Sequence, residues 1–259
     1  MPPPKSATLV LICVTATVCL TGRALSEPAP QQTLGDGFVA SAEANRVLRR
    51  VREALGGVSR VVAVRTLLFK GVYVTPEDLL PGTTDPHEYR MQFPDAFQER
   101  SAYRGTWNTF TLSGQDYWQE VEPKPFDAAR ARETKLRTFA DWSLLILTRA
   151  PAALKIQVGM ASEQSPDVAL LTFTGAAGYH RRIAYNRSSW QPMWLEYDWQ
   201  SSGRSQTRRW AVSDFERSGG ILVPRLVHDR MSAQGKPRRW EFTAVSVNEG
   251  VSAADFRRR

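Results

Sequence analysis

Cysteine is almost missing from this chain: among 259 residues only Cys13 and Cys19 occur, both inside an apolar N-terminal stretch. The remainder carries no thiol, which excludes disulfide staples, thiol nucleophiles and cysteine-ligated metals there together. Histidine is scarce as well. His87, His180 and His228 are the three present, each far from the others, and no pair has the spacing of a zinc site or of a Ser-His-Asp arrangement. Gly-x-Ser-x-Gly elbows and glycine-rich phosphate loops are also lacking. The longest apolar run, Ala7 to Leu20, falls short of the roughly 20 residues a membrane-spanning helix needs. What remains, at 42% apolar, 10% aromatic and 23% charged, is the composition of a folded protein and not of a disordered chain, a collagen or a coiled coil.

The first residues read as a secretory signal peptide over 1–26: a charged start at Lys5, the apolar run, and Ala24-Leu25-Ser26 before a cut at Glu27. The expectation is an exported, periplasmic protein with one domain over 27–259. A lipid-anchored form at Cys19 is disfavoured, because Val18 stands where such sites place a small residue. Lys+Arg number 34 against 26 Asp+Glu, and removing the leader takes away only Lys5 and Arg23, so the rest stays basic. Arg49-Arg50, Arg181-Arg182, Arg208-Arg209 and Arg238-Arg239 are candidate anion contacts. They favour an acidic envelope protein or peripheral contact with anionic lipid. Without a recognition fold, nucleic acid is not a predicted partner.

Hydrophobic periodicity predicts a helix over Phe38 to Leu55, with Ala44, Val47, Leu48, Val51 and Leu55 at three- and four-residue spacing and Gly56-Gly57 as its stop. From Val58 to Val74 the composition turns extended, predicting a long first strand. His87–Phe93, Gln98–Tyr103, Trp107–Leu112 and Gln115–Val121 follow as short strands separated by turn dipeptides. A second helix is predicted between Phe126 and Ala150, starting near Asp127, unusually apolar in its second half and stopped by Pro151. Seven further alternating segments run from Lys155 to Val247. On one of them Leu195 and Tyr197 alternate with Glu196 and Asp198, an apolar face backed by a charged one. The predicted fold is α+β and mainly antiparallel: about eleven strands curled into an unclosed half-barrel, with helices covering its concave face.

Catalytic groups are few. Glu120 with Glu122, and Glu196 with Asp198, stand two apart on a strand face as a glycosidase pair would, yet that is also how a solvated strand face looks. His228 and Asp229 face opposite sides of a strand and cannot act as a base and its orienter. The chain is therefore read as a non-enzyme without a cofactor or metal. Its distinctive feature is an excess of aromatic residues on strands, among them Trp107, Phe110, Trp118, Trp194, Trp210 and Trp240, together with an apolar helix. A packed core accounts for many of them. A curved sheet wide enough to need helices as filler is also a natural cavity for acyl chains.

Several local segments resemble the bacterial lipoprotein-sorting carriers of the LolA/LolB type. These are Ala54-Leu55-Gly56-Gly57 at the end of the first helix and Tyr89 to Arg100, similar to the family's Pro-x-x-Phe strand turn. Val212 to Pro224 and Val245 to Phe256 are similar to its later strand pair and its closing stretch. The resemblance implies an unclosed barrel whose hydrophobic cavity receives the acyl chains of a lipoprotein or lipid, as a monomer and without catalysis. Just before Pro94, where the carriers place a strand arginine that governs lid closure, this chain has Phe93. The departure implies a divergent carrier or lipid-sensing relative. On this reading the cavity is lined by Leu67, Phe69, Phe93, Trp107, Phe110, Leu144, Leu145 and Leu147. The alternative is an interaction module with a filled core and a basic docking face. Open volume on the concave face separates the two.

Overall fold

The computed structural model describes residues 32–34, 38–75, 83–103, 105–120, 127–201, 204–230 and 238–258. The expected leader with Cys13 and Cys19, Glu122, and the turns expected at 202–203 and 234–236 lie outside these residues. Two short strands, β1 (Gln32–Leu34) and β2 (Phe38–Ala40), precede helices α1 (Ala42–Leu55) and α2 (Val58–Ala63). A meander follows: β3 (Thr66–Thr75), β4 (Thr83–Gln92), β5 (Ala96–Tyr103), β6 (Thr106–Ser113) and β7 (Asp116–Gln119). Helix α3 (Ala128–Leu147) separates it from β8 (Gln157–Met160), β9 (Val168–Gly175), β10 (Tyr179–Asn186) and β11 (Pro192–Ser201). The chain closes with β12 (Arg204–Ser218), β13 (Ile221–Arg230) and β14 (Arg238–Val247).

The fourteen strands among the described residues join one sheet in the order β1-β2-β8-β9-β10-β11-β12-β13-β14-β3-β4-β5-β6-β7. Strand β14 pairs back onto β3, so the second meander joins the first and the sheet stays open between β1 and β7. Every pairing is antiparallel except β2 with β8. At the β14–β3 seam the register shifts between Phe242 and Ala244, opposite Gly71. A Cβ on Gly71 would lie 2.0 Å from the Glu241 carbonyl oxygen, so only glycine fits where the two backbones draw together.

Sequence explains the helix ends. Ser41 Oγ accepts from the Ala44 N–H at 3.2 Å and caps α1, whose Val47, Leu48, Val51 and Leu55 are buried against the sheet. Gly56 follows at φ +138°, so close to the β12–β13 turn that a Cβ there would meet the Gly220 carbonyl oxygen at 2.5 Å. Asp127 Oδ1 accepts from the Arg130 N–H at 2.9 Å and caps α3. At the other end of α3, Arg52 of α1 donates to Thr148 Oγ1 at 2.9 Å and to its carbonyl at 2.8 Å.

Two local expectations are corrected. Phe38–Ala40 is a strand and not the first turn of α1: the Val39 N–H donates to the Ile156 carbonyl at 3.0 Å, joining β8, and the helix starts only after Ser41. Val58–Ala63 is a helix and not the start of β3. Its β-branched residues favour extension only weakly, and burial of Val61 on the core side overrides that preference. The strand count exceeds about eleven because the three-residue β1 and β2 are too short to show alternation.

Candidate functional site

Helix α3 lies on the concave face, and its two halves meet the sheet differently. From Phe139 to Thr148 every residue is buried, with Trp142, Leu144, Leu145, Ile146 and Leu147 at 0% exposure. Trp142 is the wedge. Its ring stands 4.7 Å from Tyr89, 5.3 Å from Trp210, 5.5 Å from Trp240 and 5.7 Å from Phe242, centroid to centroid, spanning β4, β12 and β14 in one aromatic cluster. The concave face is therefore filled at this end.

Beside the first half of α3 a cavity of about 550 Å³ remains open. Arg130, Glu133, Thr134, Arg137, Thr138 and Asp141 line one wall, spaced three and four apart and so on one helix face. The opposite wall carries Tyr89, Glu99, Arg181, Tyr197, Asp198, Arg208, Trp210 and Trp240. The walls combine aromatic rings with charged side chains, the buried Asp141–Arg181 pair among them.

Fixed ion pairs hold these charges. Asp141, on a helix and buried, receives Arg181 Nε at 2.7 Å, Arg181 Nη2 at 3.0 Å and the Tyr179 hydroxyl at 2.7 Å. Burial acts against the Arg181 charge, but Asp141 more than offsets it and Arg181 binds its proton more tightly than a free guanidinium. Lys135 donates to Glu99 Oε2 at 2.6 Å, and His87 Nε2 lies 3.5 Å from Glu99 Oε1. Burial alone would raise the Glu99 carboxyl; Lys135 and His87 outweigh it and hold the group well below the usual carboxylate range. Arg208 donates through Nε to Asp229 at 2.7 Å. Burial, partly offset by Arg208, pushes the Tyr197 hydroxyl up to about 12. Glu99, Asp141 and Asp229 are thus each tied to a basic partner by short hydrogen bonds.

The eight residues expected to line a lipid cavity are distributed otherwise. Leu67, Phe69, Leu144, Leu145 and Leu147 come together as fully buried core. Phe93 packs 5.7 Å from Phe139 of α3, with the Arg149 guanidinium 4.4 Å above its ring. Phe110 faces inward under the Lys135 ammonium at 4.0 Å. Trp107 is corrected outright. It alternates with Phe110 and Leu112 and shares the convex face with Thr111, and it is 41% exposed with the Arg100 guanidinium 4.8 Å over its ring. None of the eight borders the cavity. The helix face of the lining carries charged and threonine side chains, as a solvated face would; the usable signal is that these charges share one face of a helix whose second half is too apolar for a surface.

The carboxylates that spacing places together serve different recesses. Glu196 is buried between Arg182 and Arg209 beside a second recess of about 310 Å³ that Trp194 also borders, whereas Asp198 borders the main cavity. Asp229 is turned inward to Arg208, while His228 is pushed below the ordinary imidazole range by burial and then by Arg230 and Arg239. Among the described residues no cluster of His, Cys, Asp and Glu has metal-binding geometry, and no helix is long and apolar enough to cross a membrane.

No family model and no curated protein sequence matches the chain. Solved structures do. A LolA superfamily protein from Nitrosomonas europaea superposes with a TM-score of 0.58 at 12% identity, over 83% of this chain and 97% of that one. An outer membrane lipoprotein-sorting protein domain from Vibrio parahaemolyticus gives 0.53 at 10% identity, over 83% and 96%. At such identities the likeness is one of architecture, and with the open sheet, the β14–β3 seam and the helix on the concave face already described, the fold of this chain is LolA-like.

Proposed function

We propose that this protein is a non-enzymatic carrier or sensor of the bacterial periplasm that holds acyl chains of a lipid or lipoprotein on the concave face of its half-barrel. The observation that carries the reading is the cavity of about 550 Å³ beside α3, with Trp210, Trp240, Tyr89 and Tyr197 among its walls. Aromatic and aliphatic surface gains roughly 0.8 kcal/mol for each methylene it takes from water. The LolA-like fold supports the same reading, since a lipoprotein-sorting domain shares it. On this reading residues 27–259 act as one domain behind an export leader. Acyl chains enter beside the first half of α3, and the apolar set Leu67, Phe69, Leu144, Leu145 and Leu147 becomes available only when that helix shifts. Phe93, packed on α3, would move with it.

The test is native mass spectrometry of the protein purified without detergent, followed by organic extraction. A co-purifying acyl species, or one that adds stoichiometrically to the apo protein, is the expected result. A clean apo mass that no lipid alters removes the reading. A second reading, a docking module for an acidic envelope protein, draws on the Trp142 wedge, which fills the concave face at one end. It predicts a protein complex that forms equally well when the cavity is blocked.

A further inference from the structure

Hydrogen-bonding groups around the cavity do not balance. Each carboxylate on its wall is engaged: Glu99 by Lys135 and His87, Glu133 by Arg137, Asp141 by Arg181 and Tyr179, and Asp198 by the Thr207 hydroxyl at 3.3 Å. Donors are left over. The exposed guanidinium of Arg130 has no partner among the described residues. Arg137, whose Nη2 already donates to Glu133 and to the Ala177 carbonyl, keeps a buried Nε without a hydrogen-bond partner, as do the indole Nε1 atoms of Trp210 and Trp240. An unmade buried hydrogen bond is costly, so a wall with spare donors and spent acceptors is complementary to a ligand that supplies acceptor atoms.

Position refines the class. Arg130 and Arg137 are seven residues apart on α3, two turns along the same face, and both border the cavity. Trp210 and Trp240 lie on neighbouring parts of the opposite wall with ring centroids 5.4 Å apart. Cationic donors on one wall and indole surface on the other suit a molecule that is anionic at one end and hydrocarbon beyond it. The volume, about 550 Å³, is that of a site for one small ligand, which such cavities hold at roughly 300–1,000 Å³.

We propose that the cavity binds a single-chain amphiphile with an oxyanion head, the head taken by Arg130 and Arg137 and the chain laid against Trp210 and Trp240. This rests on the carrier reading and narrows it, because a chain so held needs no movement of the Trp142 wedge. A carboxylate and a phosphate monoanion share the required chemistry: both present oxygens that accept charge-assisted hydrogen bonds from guanidinium groups.

Calorimetric titration of the full mature chain with dodecanoate, a dodecanoyl lysophosphatidylglycerol and dodecanol, each below its aggregation threshold, tests this. One-to-one binding of either anionic ligand, at least ~10-fold tighter than dodecanol, is expected. Which anion binds identifies the carboxylate or the phosphate as the source. Arg130→Gln, at an exposed position free of structural pairing, should weaken the anionic ligand ~3- to 10-fold and leave dodecanol unchanged. Arg137→Gln should do the same where near-ultraviolet dichroism shows it folded, and Arg130→Gln decides alone where it is not. Equal affinity for dodecanol, or an Arg130→Gln protein with unchanged affinity for the anion, overturns the inference. If no single-chain ligand binds but multi-chain lipid co-purifies, this inference fails and the carrier reading stands; if no lipid of any kind binds, both fail.

Discussion

The two halves of α3 rest on the same sheet and are built on opposite principles. Beyond Asp141 the helix is buried on all sides through Thr148, and Trp142 inserts among Tyr89, Trp210, Trp240 and Phe242. Before Asp141 only one face, with Leu136, Phe139 and Ala140, is buried, while Arg130, Glu133, Thr134, Arg137 and Thr138 border open volume. The contrast teaches where stability and function divide. A close-packed interior loses several kcal/mol when an atom group is deleted, whereas a wall facing open space loses little. Asp141 is the hinge between the regimes, held by three hydrogen bonds from Arg181 and Tyr179.

The sharpest way to break this contrast is Trp142→Ala. Deleting the wedge should cost roughly 4 kcal/mol, read as a lowered urea midpoint. A loss below about 1 kcal/mol would mean that the cluster is not the core it is described as. Asp141→Asn comes next, at about 3 kcal/mol, because it strands the buried Arg181 charge. The double change Asp141→Leu with Arg181→Met should recover part of that loss, and an additive penalty in chemical denaturation would show that the two side chains are not coupled.

Much of the architecture was legible before any coordinates. Alternation placed β9 to β14 within a few residues, and Gly56 and Asp127 mark the end of α1 and the start of α3 where a positive φ and a cap are found. Where the reading failed, tertiary contact won over local preference: Val39 joins β8 through its backbone, and Val61 is buried on a helical turn its β-branched neighbours do not favour. The site was less legible, for a definite physical reason. Hydrophobicity marks what is removed from water, so it pointed to Leu67, Phe69 and Leu144, which the core uses up. An unfilled space beside a charged helix face leaves no apolar signature. Glu99 illustrates this: it sits between Phe97 and Ser101 as one more polar strand residue until the fold sets it against Lys135 and His87.

Glu99 also sets a pH dependence on the open side. Its folded carboxyl is held below its unfolded value, so its contribution to stability is complete above roughly pH 4.3 and is lost as the pH falls from there toward the folded value. The stability gap between wild type and Glu99→Gln should therefore narrow on acidification, and a gap constant between pH 7 and pH 3 in urea titrations would contradict the assignment. Smaller effects belong to exposed groups. Trp107→Ala should cost about 0.5–1 kcal/mol, the worth of its half-exposed ring under Arg100, and should leave ligand binding intact because it lies on the convex face. Thr134→Ala on the cavity wall should change thermal stability by no more than about 0.5 kcal/mol, which would mark the wall as ligand-facing surface and not core.

The central claim, that acyl chains are held beside the first half of α3, is tested most directly by photolabelling. A fatty acid carrying a diazirine near its terminal methyl would be incubated with the protein, irradiated, and its attachment sites mapped by peptide sequencing. The account predicts labelling of β12 and β14 around Trp210 and Trp240 and of the α3 face from Arg130 to Asp141, competed by unlabelled fatty acid. Labelling confined to the convex face around Trp107, or none that competitor reduces, would contradict it.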